Sequence, residues 1–252
     1  MNIIAVKNYE EMSKKAAEFI IDTVKTKPNA VLGMATGGTA VGTYKCLIQD
    51  FNQNKTSYKQ AYTVNLDEYI GIDPEHEQSY HTYMDNHLFQ HIDLPKNHQY
   101  IPNGNAKNLE AECKRYEEAI EALGGVDLQI LGIGHNGHIG FNEPGTSFDS
   151  KTQVVELAES TRKANARFFE DLNEVPTQAI TMGIATILKS KKILLLVSGK
   201  GKAEILQKLL TCDITESIPA TALKKHPNVT IIADKEALSF LADTEMKVRM
   251  SV

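Results

Sequence analysis

The chain has 252 residues, 42% of them hydrophobic, and a formal charge of −5, enough to bury a sizeable core and too acidic overall to leave a basic footprint for nucleic acid. Its three cysteines, Cys46, Cys113 and Cys212, are far apart with no Cys-x-x-Cys pair, which argues against a zinc ribbon or a disulfide framework and for a reducing compartment. The first fifteen residues lack the pattern of a secretory signal and no stretch approaches the roughly 20 apolar residues of a membrane helix, so a cytoplasmic protein without membrane partners is expected.

In chain order, short apolar runs alternate with amphipathic stretches. Residues 3–6 predict a strand and 9–25 a helix; 30–35 predict a second strand, running into Thr36-Gly37-Gly38-Thr39 and a helix over 40–49. Residues 62–66 predict a third strand, followed by Asp67-Glu68-Tyr69. The polar, histidine-bearing stretch 71–104 has no regular period and reads as an excursion. A helix over 109–123 and a strand over 128–132 lead into a glycine- and histidine-rich loop. Strands follow at 179–182, 193–198 and 229–233, with Gly199-Lys200-Gly201-Lys202 and a helix over 202–210 between the last two. Most of these strands are almost continuously apolar, as suits strands covered on both faces, and their alternation with helices predicts an α/β fold with a mainly parallel sheet. No repeat, low-complexity tract or linker divides residues 1–252, which read as one domain.

The polar punctuation falls at strand ends, where open parallel sheets bind ligands. GIGHNGHIGFNEP, residues 132–144, is dense in glycine and titratable groups. Its glycines permit tight turns with amides turned toward a ligand; an imidazole such as His138 serves proton transfer near neutral pH, and Glu143 can orient and charge-stabilise it. His135 and His138 lack a third ligand at metal spacing, so no metal is expected. Asp67 directly follows a buried strand. Two readings stand for it: a partly desolvated carboxylate with the raised pKa of a base, or a cap for the next turn. The TGGT turn, with Gly37, Gly38 and Thr39, opens a helix and offers free amides to a phosphate; it is neither a dinucleotide fingerprint nor a P-loop. Lys202 opens another helix, where a cation sits against the dipole unless an anion compensates. Arg167, in TRKANARFF, is a fork suited to phosphate or a solvated helix residue.

Together these motifs resemble the glucosamine-6-phosphate deaminase family, with TGGT, LDEY, GIGHNGHIGFNEP, TRKANARFF, QAITMGIATIL and GKGKAE in the family's order. The resemblance implies a doubly wound, Rossmann-like α/β fold of the sugar-phosphate isomerase type. It implies an enzyme that opens the ring of glucosamine 6-phosphate, isomerises it and releases ammonia and fructose 6-phosphate, with no redox cofactor or magnesium. Carried over, Asp67 moves the C2 proton, and His138 with Asn136 and Glu143 opens the ring. Gly37, Gly38, Thr39, Arg167 and Lys202 hold the phosphate. Many relatives have aspartate where this chain has Asn136, which shifts the charge burden to Glu143. Some relatives are hexamers activated by N-acetylglucosamine 6-phosphate through basic residues after the FNEP loop. Residues 146–155 here carry only Lys151 as a cation, so that activation is not expected, while a homo-oligomer stays open. The nearest rival is a 6-phosphogluconolactonase, which has an apolar run where this chain has Phe141-Asn142-Glu143-Pro144. A sugar-phosphate-sensing domain of a regulator is the rival of a different class, although no DNA-binding appendage precedes the first strand.

Overall fold

The computed structural model describes residues 1–159, 162, 169 and 174–241. In chain order its main elements are β1 (Asn2–Val6), α1 (Tyr9–Thr26), β2 (Val31–Met34), α2 (Gly38–Asn54), β3 (Tyr62–Asn65), β4 (Asp67–Tyr69), α3 (Tyr80–His87), β5 (Gln99–Tyr100), α4 (Leu109–Ala122), β6 (Leu128–Leu131), β7 (Gln153–Glu156), β8 (Gln178–Thr181), α5 (Ile184–Leu188), β9 (Ile193–Val197), α6 (Ala203–Thr211) and β10 (Val229–Asp234). Strands β2, β6 and β9 are buried along their whole length, as continuous apolar runs demand. The helices start where the side-chain chemistry allows. Asn8 accepts from the Glu11 N–H at the head of α1 and Asn108 from the Ala111 N–H at the head of α4, each satisfying an otherwise orphaned amide. Along α1, Met12, Ala16, Ile20 and Val24 recur one turn apart and form its buried stripe.

Seven strands form one parallel sheet in the order β1-β10-β9-β6-β2-β3-β5. From β2 the chain winds outward through β3 to β5. It then returns to the other side of β2 and winds outward again through β6, β9 and β10. The winding therefore reverses between β2 and β6, and a crevice forms beyond the carboxyl ends of these two neighbours. The TGGT turn follows β2 and the glycine–histidine loop follows β6.

Two expectations are corrected. The run 179–182 does not join the parallel sheet; β8 lies between β4 and β7 in a separate antiparallel sheet. Only Leu66 separates β3 from β4, too little chain for a crossover back to a parallel neighbour, so the strand after it pairs elsewhere. The stretch 71–104 is also not irregular throughout, since it contains α3 and β5. Ser79 caps α3 by accepting from the Thr82 N–H. Among the described residues, no helix is long and apolar enough to cross a membrane.

Candidate active site

A cavity of about 520 Å³ opens at the switch point, lined by the turn after β2, by Asp67 at the end of the β3 run, by the loop after β6 and by Lys202. Four segments distant in sequence thus supply one pocket, the arrangement expected where a doubly wound sheet binds a small ligand. Gly37, Gly38, Thr39, Asn136 and His138 all line it, as the sequence predicts. Glu143 stands behind His138 rather than in the wall. Arg167 lies outside the described residues.

Asp67 is the first residue of β4 and no turn cap. Its neighbour Leu66 accepts from the Met182 N–H at 2.6 Å, and Asp67 itself pairs with Thr181 across the antiparallel ladder. The carboxylate is 6% exposed, and burial, reinforced by the charge of Glu68, pushes its pKa up to about 8. Glu68 points the other way. It accepts from the Tyr69, Tyr80 and His81 N–H groups and pairs with His81 Nδ1 at 2.8 Å, thereby holding the first turn of α3. Anchored in this way, α3 puts Tyr80 into the cavity wall, stacked against Phe141 with ring centroids 6.3 Å apart. Sequence reasoning missed this aromatic wall, because a lone tyrosine in a polar stretch looks like any surface residue.

The loop after β6 is folded by its own backbone: the Gly137 N–H donates to Gly134 O at 3.0 Å and the Gly134 N–H to His138 O at 2.9 Å. The imidazole of His138 lies flat over Gly134, where a Cβ would come within 2.2 Å of the ring. His138 Nδ1 is 3.4 Å from Glu143 Oε1. Asn136 completes the group. Its Nδ2 donates to Glu143 Oε2 at 2.6 Å, while its Oδ1 accepts from the His138 N–H at 3.2 Å. One partner must accept and the other donate, which fixes the amide orientation. Asparagine here is therefore a bracket for Glu143. An aspartate in the same place would set two carboxylates 2.6 Å apart, which requires a shared proton. Among the described residues, Glu143 is the carboxylate set beside the imidazole.

Residues 181–182 join the two halves of the site. The Phe141 N–H donates to Thr181 Oγ1 at 3.1 Å, and Asn142 Nδ2 donates to Met182 O at 2.9 Å. The segment pairing with Asp67 thus also carries the loop bearing His138.

At the TGGT turn, Gly37 has φ +92°, a left-handed conformation that glycine adopts without strain. The turn leads into α2, whose first amides and dipole face the cavity. Lys202 ends a 3-10 turn, Lys200–Lys202, ahead of α6. Loss of solvent lowers its pKa, and among the described residues no carboxylate compensates it. A half-buried ammonium lining the same cavity as a helix N-terminus makes a setting that favours an anion. Asp234, at the end of β10, holds the approach by accepting from the Gly199 N–H at 3.0 Å and from Ser198. His135 joins the same corner through Nδ1 and Gly201 O, 3.0 Å apart.

Fold and site define a doubly wound α/β protein with a carboxylate and an imidazole, the latter backed by a second carboxylate, at one pocket. Residues 6–232 match the family of glucosamine-6-phosphate isomerases/6-phosphogluconolactonases, and the chain belongs to that family. A glucosamine-6-phosphate deaminase of Geobacillus sp. (strain WCH70) is 62% identical over 248 residues, which cover 98% of this chain and 99% of its own. Glucosamine-6-phosphate deaminase 1 of Bacillus subtilis (strain 168) is 55% identical over 239 residues, 95% and 99% of the two chains. A solved structure described as a monomeric glucosamine-6-phosphate deaminase of the NagB superfamily matches with a TM-score of 0.93 at 55% identity, covering 95% of this chain and 99% of that one. A 6-phosphogluconolactonase from Trypanosoma cruzi, 19% identical with a TM-score of 0.77, covers 96% and 97% and shares the fold.

The buried carboxyl makes stability depend on pH with a definite sign. Unfolded, Asp67 ionises near the ordinary value of 3.8; folded, it keeps its proton up to about 8. Between these values the unfolded state binds fewer protons, so the folded state loses stability as pH rises. Relative to the parent, Asp67→Asn should gain stability from about pH 4 to about pH 8 and gain no more above that, as read from denaturant midpoints at several pH values. A pH-independent difference would mean that the folded carboxyl ionises as readily as the unfolded one.

Proposed function

We propose that this chain, acting as one domain in the cytoplasm, converts glucosamine 6-phosphate and water into fructose 6-phosphate and ammonia. The observation that carries the reading is a buried carboxylate, Asp67, sharing one cavity with His138, whose imidazole is backed by Glu143.

The substrate rests mainly as a closed ring. His138 takes the proton of the anomeric hydroxyl and delivers one to the ring oxygen; Glu143 steadies the imidazolium in between, with Asn136 holding Glu143. The open-chain aldehyde then presents C2. The Asp67 carboxylate removes the C2 proton, the electron pair moves through an enolamine, and the same proton returns at C1. Water adds to the resulting C2 imine, and ammonia leaves from the carbinolamine, giving the ketose. Asp67 is largely protonated near neutral pH in the empty site. An ammonium on C2 favours its ionised form, so binding itself readies the base. No electron or phosphoryl group is transferred, and the residues Asp67, His138 and Glu143 cover each proton movement.

The phosphate serves as a remote handle. Amides of Gly37, Gly38 and Thr39 with Lys202 and Arg167 bind it, and that binding energy sets the reacting carbons between the two catalytic groups. What supports Lys202 in this role is its half-buried, uncompensated charge at the cavity rim. A lactonase reading is disfavoured by Glu143, since the couple it forms with His138 suits repeated proton transfer at a sugar ring.

Incubation of the purified protein with glucosamine 6-phosphate should release ammonia and fructose 6-phosphate in equal amounts. Hydrolysis of 6-phosphogluconolactone without ammonia release would replace the reading. Asp67→Asn should abolish turnover while binding substrate within a few-fold of the parent, because the lost charge is remote from the phosphate grip. Lys202→Ala should raise KM by about one to two orders of magnitude with a far smaller effect on kcat, as expected for a charge-assisted contact to a remote group. An unchanged KM would remove Lys202 from phosphate binding.

A further inference from the structure

The outward side of the TGGT turn is held by tyrosine hydroxyls from three different helices. Tyr83 of α3 donates to Gly37 O at 2.8 Å. Tyr9, the first residue of α1, donates to Gly38 O at 2.9 Å and at the same time accepts from the Gly42 N–H at 2.8 Å. Its oxygen thus bridges the Gly38 carbonyl and the Gly42 N–H, two backbone groups of the first turn of α2. Tyr44, within α2, donates to Ala35 O. Gly42 admits Tyr9, because a Cβ there would meet the tyrosine ring at 2.9 Å and Ser13 Oγ at 2.3 Å.

A carbonyl held on one side has a consequence on the other. In a trans peptide the C=O and N–H of one unit point in opposite directions. Pinning the Gly37 and Gly38 carbonyls outward aims the N–H groups of Gly38 and Thr39 the opposite way, and both residues line the cavity. The Gly37 carbonyl also accepts from the Ala40 N–H at 3.2 Å, so the Tyr83 hydroxyl adds a second restraint to that peptide plane, one that a mobile water would supply less firmly. We propose that Tyr9 and Tyr83 are positioning residues, whose hydroxyls orient the amides of the phosphate turn and so set the affinity for the phosphoryl group without touching it. Tyr83 adds a second link. Glu68, beside Asp67, holds the first turn of α3, and Tyr83 of the same helix holds Gly37, so one short helix ties the base to the phosphate turn. Burial keeps the Tyr83 phenol well above its ordinary pKa, so it remains a donor.

This inference rests on the phosphate reading given above, and the experiment separates the two. Inorganic phosphate is titrated as an inhibitor of ammonia release by the parent, Tyr9→Phe, Tyr83→Phe and Lys202→Ala. Removing one hydroxyl should weaken phosphate inhibition and raise KM together by about three- to tenfold, with kcat held within about twofold. A purely structural role predicts something else: lowered melting temperatures in the Phe variants with phosphate inhibition and KM at parental values. That result, with Lys202→Ala still impaired, overturns the tyrosine proposal alone. Parental phosphate inhibition in Lys202→Ala as well would overturn the phosphate reading and the tyrosine proposal with it. Tyr83 sits on a separate helix, so it decides the matter should Tyr9→Phe fail to fold.

Discussion

Asp67 and Glu68 stand side by side, 6% and 2% exposed, at the seam where the chain leaves the parallel sheet for the antiparallel one. Removing two adjacent carboxylates from water costs several kcal/mol each unless something compensates. The compensation is one-sided. Glu68 collects backbone N–H groups and His81, and in doing so fixes the start of α3. Asp67 faces the cavity, with its carboxyl held in the protonated range by burial and by its neighbour's charge. The strain of a poorly solvated acid is tolerated because the seam around it is over-determined by the Leu66–Met182 and Asp67–Thr181 pairings.

The same seam explains why Asp67 and His138 are in register. Thr181 and Met182 bond both the strand of Asp67 and the loop that ends in Glu143. The distance between the carboxylate and the imidazole is therefore set by one dipeptide, not by two independent loops. Elsewhere in the cavity wall, the TGGT turn and the approach to Lys202 are fixed by separate supports: the tyrosine hydroxyls for the first and Asp234 for the second. A pocket with rigid ends suits a substrate whose phosphate is bound at one end and whose first two carbons react at the other.

Much of this was legible in the chain. Continuous apolar runs found six of the seven parallel strands to within a residue or two, because burial on both faces leaves an unbroken signal; the two-residue β5, inside the polar stretch 71–104, carried none. The polar endings of those runs found Asp67, His138 and Lys202. The three-stranded sheet was not legible as such. β4 is three residues long, reads as Asp-Glu-Tyr and carries no apolar alternation, so its strand character comes wholly from its partner β8. Whether Asp67 was a base or a cap could not be decided from its neighbours, since both roles suit an aspartate after a strand. The bracket role of Asn136 depends on a contact seven residues away across a folded loop. Tyr9 and Tyr83 lay furthest from view, for a tyrosine at a helix start or on a polar helix carries no mark of the backbone oxygen it reaches.

The central claim is that one desolvated carboxylate carries a proton from C2 to C1 while solvent is kept away. Glucosamine 6-phosphate deuterated at C2, turned over in ordinary water, tests it directly by the isotope content at C1 of the first fructose 6-phosphate formed. Transfer by Asp67 from a buried site predicts deuterium retained at C1, on one face only, in a substantial fraction of early product. Complete loss of the label from single-turnover product, or its appearance on both faces, would contradict the account.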